Sequence, residues 1–215
     1  MLAGARDRQV HANQRPLDAA TLIVLDRSTS SPGILLGRRR ADLTFMPGRL
    51  VFPGGRVETE DRTAAAASPL HPEVEAKLQR QVQRPSAAKA HGYAQAALRE
   101  TFEETGLRAP GPPELAGLQF VARAVTPPRL VRRFDTRFFA IDAAQLQQHA
   151  EVVGPDAELT ELVWLRLDQA LGSGLAPITQ VMLLELRDRL ARGFDPALPV
   201  PLYRMLHGRF TRAEL

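Results

Sequence analysis

Apolar positions along the chain fall into two rhythms, and their alternation sets out the elements. Ala19 to Leu25 (AATLIVL) is an unbroken apolar run rich in β-branched residues, and Gly33 to Arg38 (GILLGR) follows it after a Ser/Pro/Gly turn. Both predict strands. A third short strand, Arg49 to Phe52, runs into Pro53-Gly54-Gly55. There proline ends the pairing, and paired glycines allow positive φ and close backbone approach, which predicts a tight loop. Residues 62 to 91 have a different character, with an alanine run and then PEVEAKLQRQVQRP. Val74, Leu78 and Val82 recur every fourth residue there and predict a short helix with one narrow apolar stripe.

A stronger helical pattern begins at Ser86 or Tyr93 and stops at Gly106, where a left-handed cap belongs. Beyond Pro110-Gly111-Pro112-Pro113, the segments 118–125, 135–141 and 161–167 read as strands, and Leu175 to Leu190 as a helix with Pro177 in its first turn. The tail from Pro196 to Leu215 shows little periodicity. Strands and helices alternate irregularly and no repeat appears, so the expected fold is α/β, a layered sandwich around a mixed sheet. We expect one domain over 1–215, with a helical insertion at about 62–91 and a C-terminal helix plus tail at about 175–215.

Composition narrows the chemistry. With no cysteine, disulfides, thiolate zinc sites and a cysteine nucleophile are excluded together. The five histidines, at 11, 71, 91, 149 and 207, are too scattered for a local zinc motif, so any metal is expected on oxygen ligands, as suits Mg²⁺ or Mn²⁺. The net charge of +4 is too small to argue for nucleic acid. Nearly all the positive charge is arginine, Lys77 and Lys89 being the only lysines, and arginine suits phosphate. No segment is apolar enough to span a bilayer, and the N-terminus has no apolar core after its charges, so a cytoplasmic protein without a membrane partner is expected.

The segment Arg99-Glu100-Thr101-Phe102-Glu103-Glu104-Thr105-Gly106-Leu107 carries the sharpest signal. At 100° per residue Glu100, Glu103 and Glu104 fall within an arc of about 100°, while Leu98, Phe102 and Thr105 point the other way. Like charges at this spacing cost about 0.2–0.5 kcal/mol per pair, and the helix C-terminus adds its own negative partial charge. A solvated acidic face is one explanation. A divalent cation held by the three carboxylates is the other.

Together with the Phe-Pro-Gly-Gly loop upstream, this segment resembles the nudix box, in which a glycine, a carboxylate and Arg-Glu-x-x-Glu-Glu-x-Gly surround a loop and a metal-binding helix. Thr101 departs mildly, standing where the family usually has an aliphatic residue. Asp61, the sixth residue after Gly55, stands where the family has its first glutamate. Thirty-seven residues then separate it from Arg99, where seven are usual. A box split in this way resembles the branch that contains the peroxisomal coenzyme A diphosphatases. That branch's upstream motif falls in register on Leu35, Leu36, Arg39, Gly48, Phe52, Pro53, Gly54 and Gly55, with departures at Gly37, Arg40 and Thr44.

The resemblance implies Mg²⁺, with Mn²⁺ as a substitute, held by Glu100, Glu103, Glu104 and Gly55, and Arg99 orienting a carboxylate. Either one of the glutamates, such as Glu100, or a further carboxylate is then the general base. Of Glu158 and Glu161, which precede the strand with Trp164, Glu158 is the choice. Arg39, Gly54 and Gly55 would line the substrate, and Arg129, Arg132, Arg133 and Arg137 would meet its phosphates, unless they form only a solvated basic edge. The implied reaction cuts coenzyme A or acyl-coenzyme A into adenosine 3',5'-bisphosphate and a 4'-phosphopantetheine. Other nucleoside diphosphate-linked substrates, or a non-catalytic nucleotide-binding module, are the alternatives. The partner expected is a small nucleotide and no nucleic acid, with a homodimer contact or a cap over the site mouth as roles for the insertion.

Overall fold

The computed structural model describes residues 14–43, 46–130 and 132–215; Thr44, one of the motif departures, and His11 lie outside them. In chain order the elements are β1 (Leu17–Asp26), β2 (Gly33–Arg39), β3 (Leu50–Val51), β4 (Gly54–Arg56), α1 (Pro72–Gln79), α2 (Ala87–Thr105), β5 (Leu107–Arg108), β6 (Gln119–Val125), β7 (Phe134–Asp142), β8 (Gln147–Gln148), β9 (Leu159–Arg166), α3 (Leu167–Gly172), α4 (Pro177–Ala191), β10 (Pro201–Leu206) and β11 (Arg209–Glu214). One sheet runs β11-β10-β6-β7-β1-β2-β3, with β4 added on β1 and β9 on β2; β5 and β8 form a separate ribbon. β1 is parallel to β7 and β10 to β6, and the other pairs are antiparallel. The sheet is therefore mixed, as expected.

The unbroken apolar run of β1 follows from its position: both faces of this strand are covered. Leu22 and Val24 point into a core beneath α1 and α2, with Leu35, Tyr93, Phe120, Phe139 and Leu202. Ile23 and Leu25 point the other way, onto Met182, Leu183 and Leu186 of α4. Two apolar layers with helices outside both make the α/β/α sandwich. No helix of the described residues is long and apolar enough to cross a membrane.

α2 begins on the Ser86 side chain, which accepts the Lys89 N–H, and ends on Gly106 in the left-handed region at φ 75°. Its sheet-facing residues include Ala90, Ala94 and Ala97, small enough to bring the helix axis close to the strands.

Three sequence expectations need correction. The helical stripe in the insertion stops short: α1 ends at Gln79, Arg80 is extended and Gln81 has φ 51°, so Val74 and Leu78 enter the core and Val82 lies beyond the helix. Gly54 and Gly55 form the strand β4 on Ala20 and Thr21 where a tight loop was expected. The tail from Pro196 is a hairpin that extends the sheet, its two-residue turn formed by His207 and Gly208, both with positive φ, as type I′ turns require.

Residues 62–91 are tied down on several sides. Gln95 donates to the carbonyls of Ala64 and Ala65. Ala67 N–H donates to Pro113 and Ala116 N–H to Ser68 Oγ. The buried ammonium of Lys77 reaches the carbonyls of Pro196 and Leu198, and Arg123 reaches those of Arg80 and Gln81.

The hairpin's contribution to the core gives a test. Leu202 is 1% exposed, so Leu202→Ala is expected to cost roughly 2–4 kcal/mol and to lower the melting temperature by about 5–15 °C. A melting temperature unchanged within a degree would show that the tail stands outside the cooperative unit.

Candidate functional site

The site grows from the position of its three glutamates on α2. Glu104 is closest to the buried side of the helix, beside Thr101 and Thr105, which are 0% and 1% exposed. Glu100 is intermediate, with a side chain 16% exposed, and Glu103 is turned outward at 53%. The acidic face thus borders the core instead of opposing it, which corrects the helical-wheel expectation. Phe102 is only half-buried beneath the guanidinium of Arg108, 5.1 Å from its ring centre, and Thr101 holds the inward position. Its buried hydroxyl donates back to the carbonyl of Ala97 at 2.7 Å.

β4 lies directly against this face. Gly54 N–H donates to Glu104 Oε2 at 2.9 Å. A side chain at Gly54 would put Cβ within 2.5–2.7 Å of Thr21 and the Ala20 carbonyl, and one at Gly55 would put it 2.4 Å from the Glu100 carboxylate. The two glycines are the condition for the strand and the carboxylates to meet.

Arg99 closes the split motif in space. Its guanidinium forks onto Asp61, with Nε to Oδ1 at 2.9 Å and Nη2 to Oδ2 at 3.1 Å, and Nη2 also donates to the Arg56 carbonyl. Asp61 is 3% exposed and accepts in addition the Glu58 N–H at 2.7 Å. The third nitrogen, Nη1, reaches Glu100 at 3.0 Å and Glu103 at 3.2 Å. Asp61 therefore joins the cluster despite the thirty-seven residues in between. The Asp61 bond above all holds the Arg99 proton more firmly than usual, and Glu100 adds to it.

On the opposite side, Arg39 donates to Glu158 at 2.6 Å. Both bear on Glu104: the Glu158 charge raises its proton affinity and the Arg39 charge lowers it. Glu161 instead pairs with Arg38 on the exposed sheet edge. Burial is the main reason that Glu104 is pushed up to about 8, opposed by the Gly54 N–H and reinforced by Glu158 and Glu100. Glu100 is also raised, again mainly by burial, with Arg99 opposing.

The arginines expected to meet phosphate are dispersed. Arg137 is fully buried on β7, pairs with Asp18 at 2.7 Å, donates to the Tyr93 hydroxyl and stacks 3.8 Å above its ring centre. Arg133 is spent on the carbonyls of Thr126, Pro127 and Gln14. Arg129 and Arg132 are exposed on the β6–β7 connection, Arg129 with φ 65°. Sequence reading did not find the ladder Lys89–Asp18–Arg137–Asp135–Arg123 at the base of the sheet. Its members are separated in sequence and become neighbours only through the register of β1, β7 and β6.

Whether a divalent cation fits is decided by the donors. They are all oxygen: Glu100, Glu103 and Glu104, with the Gly55 carbonyl on the adjoining strand. The missing Cβ of Gly55 leaves Glu100 its room, and a cationic nitrogen of Arg99 already bridges Glu100 and Glu103. Among the described residues no three acidic or imidazole groups converge as a ready chelate, because these carboxylates are turned onto Arg99 and the Gly54 N–H. The donor chemistry fits a hard cation, and the side chains must turn to reach it.

Comparison with known proteins bears on the fold. The model of the NUDIX domain matches residues 89–184, from the first turns of α2 into α4. Among solved structures, a NUDIX hydrolase from Alicyclobacillus acidocaldarius is 25% identical with a TM-score of 0.59, covering 79% of this chain and 90% of that one. The NUDIX domain of Shewanella oneidensis NrtR, solved with ADP ribose, is 15% identical at a TM-score of 0.51, covering 82% and 90%. A MutT NUDIX hydrolase from Burkholderia pseudomallei is 18% identical at 0.51, covering 80% and 99%. No curated protein sequence matches the chain significantly.

The raised Glu104 gives a pH-dependent stability. The folded state binds this proton more tightly than the unfolded chain, where the ordinary value is 4.5, so the gain is complete below that pH and is lost as pH rises toward 8. The metal-free protein is expected to lose up to a few kcal/mol between about pH 5 and 8, or about 5–10 °C in melting temperature. Melts in EDTA across this range check it. Glu104→Gln should flatten the slope, and an equal slope in both proteins would remove Glu104 as its source.

Proposed function

We propose, proceeding from a chain that carries a Nudix domain and is a hydrolase of pyrophosphate bonds, that its substrate is coenzyme A or acyl-coenzyme A. The observation that carries the hydrolase reading is the β4–α2 contact, where Gly54 and Gly55 lie against Glu104 and Glu100 while Arg99 forks onto Asp61. Nucleoside diphosphate-linked compounds are the substrate class at the coarser level. The NrtR domain from Shewanella oneidensis was solved with ADP ribose, and an adenosine diphosphate moiety is common to that molecule and coenzyme A. The narrower choice is supported by the upstream motif, whose residues surround this contact. Leu35 and Leu36 anchor β2 in the two core layers, Gly48 N–H donates to the Arg39 carbonyl, and the Arg39 side chain comes to Glu158.

In this reading Glu100, Glu103, Glu104 and the Gly55 carbonyl hold Mg²⁺ or Mn²⁺. When bound, the ion neutralises phosphate oxygens and makes a water molecule more acidic. The protein's own contribution is positional. Arg99, fixed by buried Asp61, sets the angle at which Glu100 and Glu103 are presented. Arg39 offers a cation at the edge of the carboxylates, suited to a diphosphate oxygen. Glu158 has a side chain half exposed to solvent with Arg39 on its Oε1, and takes the proton from the attacking water. The phosphate contacts are assigned to Arg39, Arg129 and Arg132; Arg133 and Arg137 already have their partners within the fold.

Incubation with coenzyme A, acetyl-coenzyme A, ADP-ribose, an NDP-sugar and a dinucleotide in Mg²⁺, with products resolved by chromatography, tests the substrate. Adenosine 3',5'-bisphosphate from coenzyme A is the expected product. Cleavage of the other compounds with coenzyme A left intact would overturn the narrower choice and leave the hydrolase. Glu104→Gln is expected to lower kcat by at least 10³-fold with the fold retained. Glu158→Gln should lower kcat about 10²–10⁴-fold, the usual contribution of a positioned base, and erase the acidic limb of the pH–rate profile. A retained limb would assign the proton transfer to another carboxylate.

A further inference from the structure

The insertion meets the start of α2 around a cavity of about 490 Å³, separate from the carboxylates. Arg15, Arg62, Gln83, Arg84, Ser86 and Lys89 line it, and its lining contains no Asp or Glu. Four cationic side chains thus share one hollow. Lys89 has a counter-charge, Asp18 at 3.6 Å, and Arg15 donates to the amide oxygen of Gln83. Among the described residues Arg15, Arg62 and Arg84 pair with no carboxylate. The next hollow, on the other side of Arg62, contains Glu75, whose carboxylate accepts from Gln79.

The arrangement is built rather than incidental. Arg62 follows buried Asp61, so the Asp61–Arg99 fork fixes the backbone from which its side chain leaves. Its stem lies flat on α2 because position 92 is glycine: a Cβ there would come within 3.0 Å of Arg62 Cγ and 3.5 Å of its Cα. A glycine in the middle of a 19-residue helix costs about 0.5–1 kcal/mol relative to alanine, and the close approach of Arg62 is what it permits. On the other wall, Arg84 sits in the left-handed region at φ 50°, an uncommon conformation for arginine. The positive end of α2 opens into the same space through Ser86 and Ala88.

Cations gathered in one concave hollow repel one another even with Arg15, Arg62 and Arg84 exposed to solvent, and an oxyanion relieves that repulsion while its several oxygens accept from several guanidinium groups at once. Lys89 stands eleven residues before Glu100 on the same helix, about 16 Å along its axis. We propose that this cavity is a second anion site, taking a phosphate monoester group of a nucleotide, and that the insertion exists in part to build it with Arg62 and Arg84. The phosphate is either a free nucleotide's or a group on the substrate remote from the scissile bond.

Binding of adenosine 3',5'-bisphosphate to the 215-residue chain in EDTA tests this by calorimetry, since without a divalent cation the acidic site repels the ligand. Wild-type protein is expected to bind it, with affinity falling steeply with salt. Arg62→Gln with Arg84→Asn, asparagine being tolerant of left-handed backbone, is expected to weaken binding at least tenfold with the melting temperature unchanged. Should this double variant not fold, Arg62→Lys with Arg84→Lys serves, because a point charge replaces each fork and a threefold or larger loss is still expected. No binding by the wild type, or equal affinity in wild type and variant, overturns the proposal, and neither result depends on hydrolysis. A further arm rests on the coenzyme A reading. If the KM for coenzyme A rises in the variant and that for 3'-dephospho-coenzyme A does not, the phosphate is the substrate's own. If the two respond alike while bisphosphate binding is lost, the site serves a free nucleotide.

Discussion

The fork of Arg99 on Asp61 is the interaction on which the rest of the site depends. It ties the turn after β4 to α2 with two charged hydrogen bonds, and its carboxylate is buried where an unpaired charge is expensive. A buried pair broken by removing one partner typically costs about 3–5 kcal/mol, because the other charge is left behind; Asp61, at 3% exposure, has no water to fall back on. The same guanidinium reaches Glu100 and Glu103. Its geometry therefore passes from the insertion's edge to the acidic face without any flexible link. Arg99 thus ties the orientation of two carboxylates to a buried one.

The second constraint is where the acidic stripe lies around α2. Were Glu104 directly opposite the core, water would solvate it and its proton affinity would be ordinary. Its position next to Thr101 and Thr105 places it at the edge of the sheet, under β4, where the Gly54 N–H is the compensating donor. The fold thereby stores unfavourable electrostatics in one place, and a cation is the natural relief. Strain of this sort is usual where a protein does chemistry.

Much of this was legible in the sequence because it depends on short-range patterns. The apolar run of β1 and the Gly106 cap of α2 are written in consecutive residues and are found where the pattern placed them, and the Glu100, Glu103 and Glu104 spacing puts all three on α2, though on a face that borders the core. What was illegible depends on register between distant strands. Arg137 reads as a basic surface residue in RRFDTRFFA, yet its pairing with Ala20 across β7 and β1 turns it inward beneath Tyr93. The C-terminal hairpin was missed because the parallel pairing of Leu202 with Arg123, which gives β10 its place, links segments some eighty residues apart. Only the His207-Gly208 turn hinted at it. Asp61 is the intermediate case. Its identity was readable from the spacing after Gly55, but its union with Arg99 needed the fold.

That union raises the question of how a motif tolerates thirty extra residues in its middle. Loop-closure entropy grows only with the logarithm of length, so lengthening the connection from seven to thirty-seven residues costs about 1.5 kcal/mol. The insertion offsets this locally. Val74 and Leu78 are each 2% exposed in the core beneath α1 and α2, and burying one such side chain contributes about 1.5–3 kcal/mol. Gln95, Lys77 and Arg123 satisfy carbonyls that an unstructured loop would leave to water. The insertion is therefore stabilised by its own contacts and does not pull on Asp61. Its two ends leave α2 at different heights, one at Arg99 and one at Ser86, and the space they enclose is the basic cavity. A longer connection freed the chain to build a second charged surface on the helix that carries the first, opposite in sign and about three turns away.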